Sequence, residues 1–181
     1  MAQISNFEAV AWRWRVNETD QRLHLVLATD IEFPTQFDLA ALLQFNPQGQ
    51  TFTAQDAEIY SQYREQFKSL PLDEEGKFTL AINATVARQY SKPLATKSWY
   101  FMQGNADATA LKLSSGDYIC AQAYGLGLYL VLDTDPSAST LMLMSKEHAI
   151  DPQRRFQRGK LVRVHNDRLI PHSGPILEQD L

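Results

Sequence analysis

The sequence has little of what disulfides, metal sites and membrane spans are built from. One cysteine, Cys120, in 181 residues excludes an internal disulfide and any cysteine-rich zinc site. No stretch approaches the roughly 20 apolar residues that a membrane-spanning helix needs, and the longest candidate, 126–132, has strand length. Residues 1–11 lack the apolar run of a signal peptide. We therefore expect a reduced, soluble, cytoplasmic protein.

Catalytic and nucleotide-binding motifs are also missing. The four histidines show no metal-ligand spacing, and no nucleophile elbow or phosphate-binding loop occurs. Gly125 and Gly127 resemble part of a dinucleotide fingerprint, but strand glycines at a bend explain them better because no third glycine follows. Cys120 is expected to be a buried, inert thiol. We predict no enzyme activity, no metal and no cofactor.

What the chain does contain is an ordinary globular composition, with 44% hydrophobic and 21% charged residues. Its length allows one large domain or two small ones. The formal net charge of −4 argues against non-specific binding to nucleic acid.

The first half predicts a small sheet covered by helices. Residues 12–16 alternate strictly between apolar and arginine side chains, and 23–27 resume the alternation after a polar turn, which indicates a β-hairpin. A short third strand is expected at 31–33. Capping boxes at Thr35 and Thr53 predict helices over about 36–44 and from 54 onwards, and Asp73 begins a helix that ends before Pro93. Residues 1–92 therefore read as an N-terminal α/β domain.

Beyond Trp99 the hydrophobic period changes to two, and turn residues separate short segments. This pattern indicates a small barrel or sandwich in a C-terminal domain, 93–181, and gives the whole chain an α+β class. Asn166 and Asp167 fit a two-residue hairpin turn, and 173–181 are expected to be loose. The predicted strands are 99–102, 110–113, 118–124, 126–132, 140–144, 160–165 and 168–170.

Two surfaces are candidates for binding. At the boundary between the two patterns, Lys92 and Lys97 flank Pro93 beside the aromatic block 99–101. Further along is a cluster of five cations that we call the basic run, with Phe156 interleaved. A solvated loop leading into a charged edge strand explains the basic run most simply, and the alternative is a docking patch for an acidic partner. The basic run consists of Arg154, Arg155, Arg158, Lys160 and Arg163.

Four local patterns together carry a resemblance to a known family. They are Trp12-Arg13-Trp14, Asp56-Ala57 with Tyr60, Lys92-Pro93 followed by Lys97-Ser98-Trp99 and Phe101, and Asn166-Asp167-Arg168-Leu169 before Pro171. In this order and spacing the chain resembles the cell-division protein ZapC family, the cytoplasmic FtsZ-associated factors of γ-proteobacteria. The similarity extends over about 12–171.

The resemblance implies a monomer without catalytic activity that binds FtsZ filaments, promotes their bundling, stabilises the Z ring at mid-cell and slows GTP turnover by FtsZ. It also implies an N-terminal α/β domain and a C-terminal twisted β-barrel-like domain. Lys92 and Lys97 match the basic pair of the family, and Leu25 matches the leucine of its second strand.

In the resulting hypothesis, Lys92 and Lys97 attract the acidic surface of FtsZ and so guide its approach to the protein. Apolar anchors would supply affinity, and the basic run is the candidate second contact. The competing hypothesis is a nucleic-acid-binding module that uses the cations of 154–168 on a small β-barrel, against which the net acidity argues. The candidate anchors are Trp99, Trp12, Leu25 and Phe33.

Overall fold

The computed structural model describes residues 12–27, 31–43, 45–46, 48–104 and 111–181. The backbone separates into two compact units. Unit 1 contains the described residues up to Lys68 together with Glu75–Lys92, and unit 2 contains Ser69–Glu74 and Pro93–Leu181. Within the described part of the chain, no helix combines the length and the apolar character needed to cross a membrane.

Unit 1 is built on a four-stranded antiparallel sheet with the order β3-β2-β1-β4. In β1, Trp14 and Val16 are buried while Arg13 and Arg15 are exposed, so the predicted hairpin and its inward face are confirmed. The short β4 was not predicted. The strands are β1 (Arg13–Val16), β2 (Arg22–Val26), β3 (Glu32–Asp38) and β4 (Gln50–Thr51).

Two helices, α1 (Ala54–Gln66) and α2 (Glu74–Gln89), complete unit 1. The predicted capping box opens α1: the Thr53 hydroxyl accepts from the Asp56 amide at 3.1 Å, and Asp56 accepts from the Thr53 amide at 2.8 Å. Every residue of α2 from Leu80 to Val86 is buried, so this helix is covered on more than one face.

Aromatic rings form much of the core of unit 1. The Trp12 ring meets Phe52, Tyr60 and Phe78 edge to face, with centroids 5.3, 5.7 and 6.3 Å away. Pairs of this geometry each stabilise a protein by about 0.5–1.5 kcal/mol beyond their buried area. Trp12 therefore joins the sheet to both helices.

The short helix predicted over 36–44 is wrong for its described residues. The chain continues as β3 to Asp38, because Thr35 and Phe37 point inward in alternation and the strand pairs with β2. Only a single 3-10 turn, Leu39–Ala41, follows. The Asp38 carboxylate caps that turn by accepting from the Ala41 amide at 3.0 Å. Gln44 lies outside the described residues.

Unit 2 contains a five-stranded antiparallel sheet with the order β10-β7-β6-β5-β11 and a two-stranded ribbon of β8 and β9. Its core is aliphatic, with Phe101, Tyr129 and Phe156 as its aromatic members. The strands are β5 (Tyr118–Gln122), β6 (Leu126–Thr134), β7 (Ala138–Leu143), β8 (Glu147–Ala149), β9 (Arg155–Gln157), β10 (Leu161–His165) and β11 (Leu169–Pro171).

Three predictions for this half are wrong in the described residues. The aromatic block lies in a 3-10 turn, Ser98–Tyr100, instead of a strand. Residues 111–113 are not in a strand, and Ala110 lies outside the described residues. The segment 173–181 is not loose throughout, because Glu178–Asp180 forms a 3-10 turn and Leu181 is buried. Strands β8 and β9 were not predicted.

The predicted hairpin at Asn166 and Asp167 is also wrong. Strands β10 and β11 lie at opposite edges of the sheet, although only the turn Asn166–Arg168 separates them in sequence. Asn166 is buried and bound to Ser139 and to the Asp135 carbonyl, which directs the chain inward. A connection this short requires the sheet to curl strongly. Its edges are not hydrogen-bonded to each other, so the closed barrel is not confirmed.

The glycines near the start of β6 make room for a buried histidine. A side chain at Gly127 would overlap the His148 ring. The His148 Nε2–H donates to the Gly125 carbonyl at 2.8 Å, and the Tyr129 hydroxyl donates to Nδ1 at 2.7 Å. Burial lowers the pKa of His148, which agrees with a neutral ring. Gly125 and Gly127 therefore accommodate the His148 side chain, and their spacing is explained by packing instead of nucleotide binding.

Candidate functional site

Lys92, in unit 1, is tied to the turn that follows β3. Its amide donates to the Ala41 carbonyl at 2.8 Å, and its ammonium group donates to the Ala40 carbonyl at 2.7 Å. Ser91, the residue before Lys92, forms an antiparallel β-bridge with Leu42. The Lys92 side chain is exposed, so its positive charge is held at a defined place on the surface of unit 1.

Lys97, in unit 2, is fixed through its backbone to the edge of β10. Its amide donates to the Arg163 carbonyl at 2.8 Å, and the preceding Thr96 forms a parallel bridge with Arg163. The Ser98 hydroxyl oxygen accepts from the His165 amide at 2.9 Å and lies 2.8 Å from its Nδ1. The Lys97 side chain is exposed beyond this anchored backbone.

Trp99 directly follows these anchoring contacts and is 71% exposed. Its ring lies 5.5 Å from that of Tyr100, centroid to centroid. The backbone on both sides of Trp99 is fixed by hydrogen bonds, so the exposed indole is presented at a defined place. Trp99 is the candidate anchor that the structure leaves accessible.

Three further large apolar residues of unit 2 are exposed, and backbone contacts connect their segments. Met102 is 60% exposed, and its amide donates to the carbonyl of Gln122 at 2.8 Å. Gln122 in turn pairs with Leu126, which is 59% exposed, and Tyr124 in the connecting turn is 66% exposed. We call Trp99, Met102, Tyr124 and Leu126 the aromatic surface.

Arg154 adds positive charge near the aromatic block. Its guanidinium carbon lies 5.4 Å from the centroid of the Tyr100 ring, and Nη1 donates to the Tyr100 hydroxyl. The same guanidinium lies 3.9 Å from Asp151. Cation–π contacts of this kind contribute about 0.5–1 kcal/mol at exposed sites. Trp99 and Arg154 thus both contact Tyr100.

The remaining cations of the basic run have separate partners. Arg155 lies 3.4 Å from Glu147 across the β8–β9 ribbon, and Arg163 donates to Thr140 and pairs with Asp135. Arg158 donates to the Met144 carbonyl at 2.9 Å, and the Lys160 ammonium lies 6.0 Å from the Phe156 ring. The basic run is therefore a set of individual contacts instead of one continuous stripe.

The other three candidate anchors belong to unit 1 and have structural roles. Trp12 is 5% exposed and Leu25 is 0% exposed, so neither side chain reaches the surface. Phe33 is partly buried, with its ring centroid 4.8 Å from that of Phe78. Trp12 and Leu25 alternate with polar residues on the hairpin, which is the pattern of a core face, and the structure buries both, whereas Phe33, in β3, stays partly accessible.

Sequence reasoning missed Met102, Tyr124 and Leu126. The available signal was local: Tyr124 falls between strand residues and Gly125, where a turn normally carries polar side chains. In the described residues, no group of three or more His, Cys, Asp and Glu side chains is arranged to hold a metal ion. What this surface offers is apolar contact area with adjacent positive charge, which is the chemistry of protein binding.

Comparison with known proteins gives matches over nearly the whole chain. The family described as "Cell-division protein ZapC, N-terminal" matches residues 9–92, and "Cell-division protein ZapC, C-terminal" matches residues 93–174. The cell division protein ZapC of Musicola paradisiaca is 31% identical over 173 residues, covering 88% of this chain and 86% of that protein. The protein of the same name from Pseudoalteromonas atlantica is 28% identical over 162 residues, covering 88% and 90%.

Proposed function

Because the chain belongs to the cell-division protein ZapC family, we propose that it is a non-enzymatic division factor that binds FtsZ filaments. It promotes lateral bundling of these filaments, slows their GTP turnover and stabilises the Z ring at mid-cell in the cytoplasm. We further propose that 1–92 and 93–181 act as two domains of a monomer.

The observation that carries this proposal is the exposed aromatic surface of unit 2. Interface energy is concentrated in a few residues, among which tryptophan and tyrosine are enriched. Trp99 presents 71% of its surface to solvent from an anchored backbone, so it can be buried by a partner without a large loss of conformational freedom. Trp99 is the main anchor in our proposal, and Trp12 and Leu25 stabilise the core of unit 1.

Positive charge supports the same role. Lys92 and Lys97 are exposed cations whose backbones are fixed by hydrogen bonds, and they steer an acidic filament surface towards the protein. Bundling needs two filament contacts, and we assign one to unit 1 at Lys92 and one to unit 2 at Lys97 and Trp99. Weak individual contacts suffice because sites repeat along a filament and add avidity.

The experiment is co-sedimentation with FtsZ assembled in GTP, with light scattering to detect bundling. We expect the unaltered protein to pellet with filaments and to raise the scattering. Trp99→Ala should weaken binding about tenfold or more, as expected for an interface anchor worth roughly 2 kcal/mol. Ile31→Ala is the matched control, since Ile31 is 52% exposed in unit 1 and belongs to no proposed contact.

The lysine contacts are tested by charge reversal. Lys92→Glu and Lys97→Glu should each lower binding and make it less sensitive to salt, while Lys112→Glu, at an exposed lysine outside both contacts, leaves binding unchanged. Wild-type pelleting by all three variants would contradict the steering role. Pelleting without bundling would indicate a single filament contact, and absence of pelleting would contradict the proposed function.

A further inference from the structure

Leu43 is an exposed apolar residue next to Lys92 in unit 1. Its side chain is 46% exposed, although the residue before it, Leu42, is only 3% exposed. In the described part of unit 1, Ile31 is the other large apolar residue that is exposed to this extent. Leu43 lies beside a cation, whereas Ile31 directly precedes the acidic Glu32.

A short antiparallel pairing of the backbone holds Leu43 beside Lys92. Leu42 and Ser91 form its β-bridge, and the Leu43 amide donates to the Tyr90 carbonyl at 2.6 Å. The Lys92 amide closes the pairing on the other side of the bridge. Because side chains alternate along such a pairing, Leu43 and Lys92 share the face opposite to the buried Leu42. They are diagonal neighbours, a relation that places two residues about 7–8 Å apart.

Contacts within unit 1 fix this pair further. Phe45 is buried, and its ring meets the Tyr90 ring edge to face with centroids 5.5 Å apart. The Lys92 ammonium group donates to the Ala40 carbonyl at 2.7 Å. A carbonyl is a neutral acceptor, so this bond orients the ammonium group and leaves its positive charge uncompensated. A leucine and a lysine are therefore presented together at a defined place.

Unit 2 presents the same combination at Lys97 and Trp99. Both side chains are exposed, and Ser98 between them is 7% exposed. In each unit, an exposed cation and a large exposed apolar side chain thus lie together on a hydrogen-bonded backbone. Such a pair can combine apolar burial, which supplies affinity, with charge, which guides the approach of an acidic partner.

We propose that Leu43 is the apolar anchor of the filament contact in unit 1, as Trp99 is in unit 2. The inference rests on the proposed function, in which Lys92 and Lys97 belong to separate contacts with an acidic filament surface. Lys92 attracts that surface, and Leu43 is buried against it when the contact closes. The two residues then act differently towards salt, because ions screen the attraction of the lysine but not the burial of the leucine.

The first test measures co-sedimentation with FtsZ filaments at low and at high salt. Leu43→Ala should lower the affinity about fivefold at both salt concentrations, as expected when roughly half of a leucine side chain no longer leaves water. Leu43→Gln keeps the size of the side chain and should weaken binding to a similar degree, whereas Lys92→Glu should weaken it mainly at low salt. Ile31→Ala is the matched control and should bind as the unaltered chain does. Thermal unfolding verifies that each variant is folded.

The second test is a double-mutant cycle. In the Lys92→Glu background, Leu43→Ala should lower the affinity only about twofold, because the reversed charge already opposes the approach on which burial of the leucine depends. In the Trp99→Ala background it should keep its full, about fivefold effect, since that residue belongs to the other contact. Equal effects in both backgrounds would overturn the shared contact of Leu43 and Lys92.

The outcomes separate this inference from the function on which it rests. If the unaltered chain pellets with filaments and Leu43→Ala binds as tightly as Ile31→Ala, the anchor role of Leu43 is overturned and the proposed function stands. If the unaltered chain does not pellet, both are overturned.

Discussion

The two units differ in their most highly connected buried polar groups. In unit 1 several donors converge on one carboxylate, Asp56, which accepts from the Trp14 indole at 3.0 Å, the Thr53 amide at 2.8 Å and the Tyr90 hydroxyl at 2.8 Å, while Asn83 forms a separate site. Gln89 adds a fourth donor at 3.2 Å. No cation appears among these partners. Dipoles from a strand, a helix start and a helix end together stabilise the charge.

Unit 2 distributes its buried polar groups over several independent pairs. Tyr129 and His148 form one, and Ser139 and Asn166 form another, with a 2.7 Å hydrogen bond in each. A third pair joins β6 to the turn after β7: the Ser145 hydroxyl oxygen accepts from the Leu128 amide at 3.0 Å. A convergent network makes one residue critical to the whole unit, whereas separate pairs confine the damage from any one substitution. The following changes test this comparison.

Among the changes that test this comparison, the largest effect is expected from Asp56→Ala in unit 1, of the same order as the loss of a fully buried aromatic side chain. The change removes the acceptor for several donors at once and leaves the buried Trp14 indole N–H and the Tyr90 hydroxyl without their partner. At about 1–3 kcal/mol for each unsatisfied group, we expect a loss of about 3 kcal/mol or more in unfolding free energy. Urea unfolding followed by tryptophan fluorescence measures it. A loss no greater than that of Thr53→Ala would contradict the convergent role.

An intermediate effect is expected from Gly127→Ala in unit 2. The added methyl group would overlap the His148 ring, so the ring must move from its bonds to Tyr129 and Gly125. Overpacking of this kind costs about 1–3 kcal/mol, and thermal unfolding checks it. Gly125→Ala is the matched control: its added methyl group would lie 3.6 Å from the Ala149 Cβ, an ordinary van der Waals contact, and Gly125 is not among the glycines with positive φ, so the change should cost less.

A smaller effect is expected from lowering the pH. Burial lowers the pKa of His148 in the folded state below the unfolded value of about 6.5. The unfolded chain therefore binds the proton more readily, so stability is fully present above pH 6.5 and falls as the pH drops towards the folded pKa. Unfolding curves between pH 7 and 5 should show this loss, and His148→Gln should reduce it. An equal slope in the variant would refute the assignment.

The smallest effect on stability is expected from Trp99→Ala. Its side chain is 71% exposed, and surface substitutions without buried partners usually change stability by less than about 0.5 kcal/mol. Its melting temperature should therefore stay close to that of the unaltered protein, while Trp14→Ala, at a residue with 0% exposure, should lose about 3–5 kcal/mol. A large loss for Trp99→Ala would place this residue in the core.

Local patterns predicted the elements that are stabilised locally. The β1–β2 hairpin follows from strict alternation, and α1 follows from the reciprocal Thr53–Asp56 box, because both depend on neighbours in sequence. The Thr35–Asp38 pattern looked equivalent, yet β3 extends through it because pairing with β2 outweighs a cap.

The positions of β5, β6, β7, β10 and β11 were also predicted from the sequence, but their pairing was not. Asn166 and Asp167 suit a hairpin locally, whereas their actual conformation depends on Ser139 and Asp135, far away in sequence. The candidate site shows the same division. Alternation placed Trp12 and Leu25 on one face of a hairpin but did not distinguish a core role from the binding role predicted for them. The exposure of Met102 and Leu126 depends on which parts of unit 2 pack over them, which the sequence does not show.

The placement of β10 and β11 at opposite edges of their sheet also governs the order of folding. Strand β11 pairs with β5, Leu169 against Ala121, so this edge cannot form until nearly the whole second half of the chain exists. Sheets with such distant pairings fold slowly, because a long loop must close before any contact compensates for its entropy. All residues of unit 1 precede Pro93. During synthesis it can therefore be complete while unit 2 is still an unpaired set of strands.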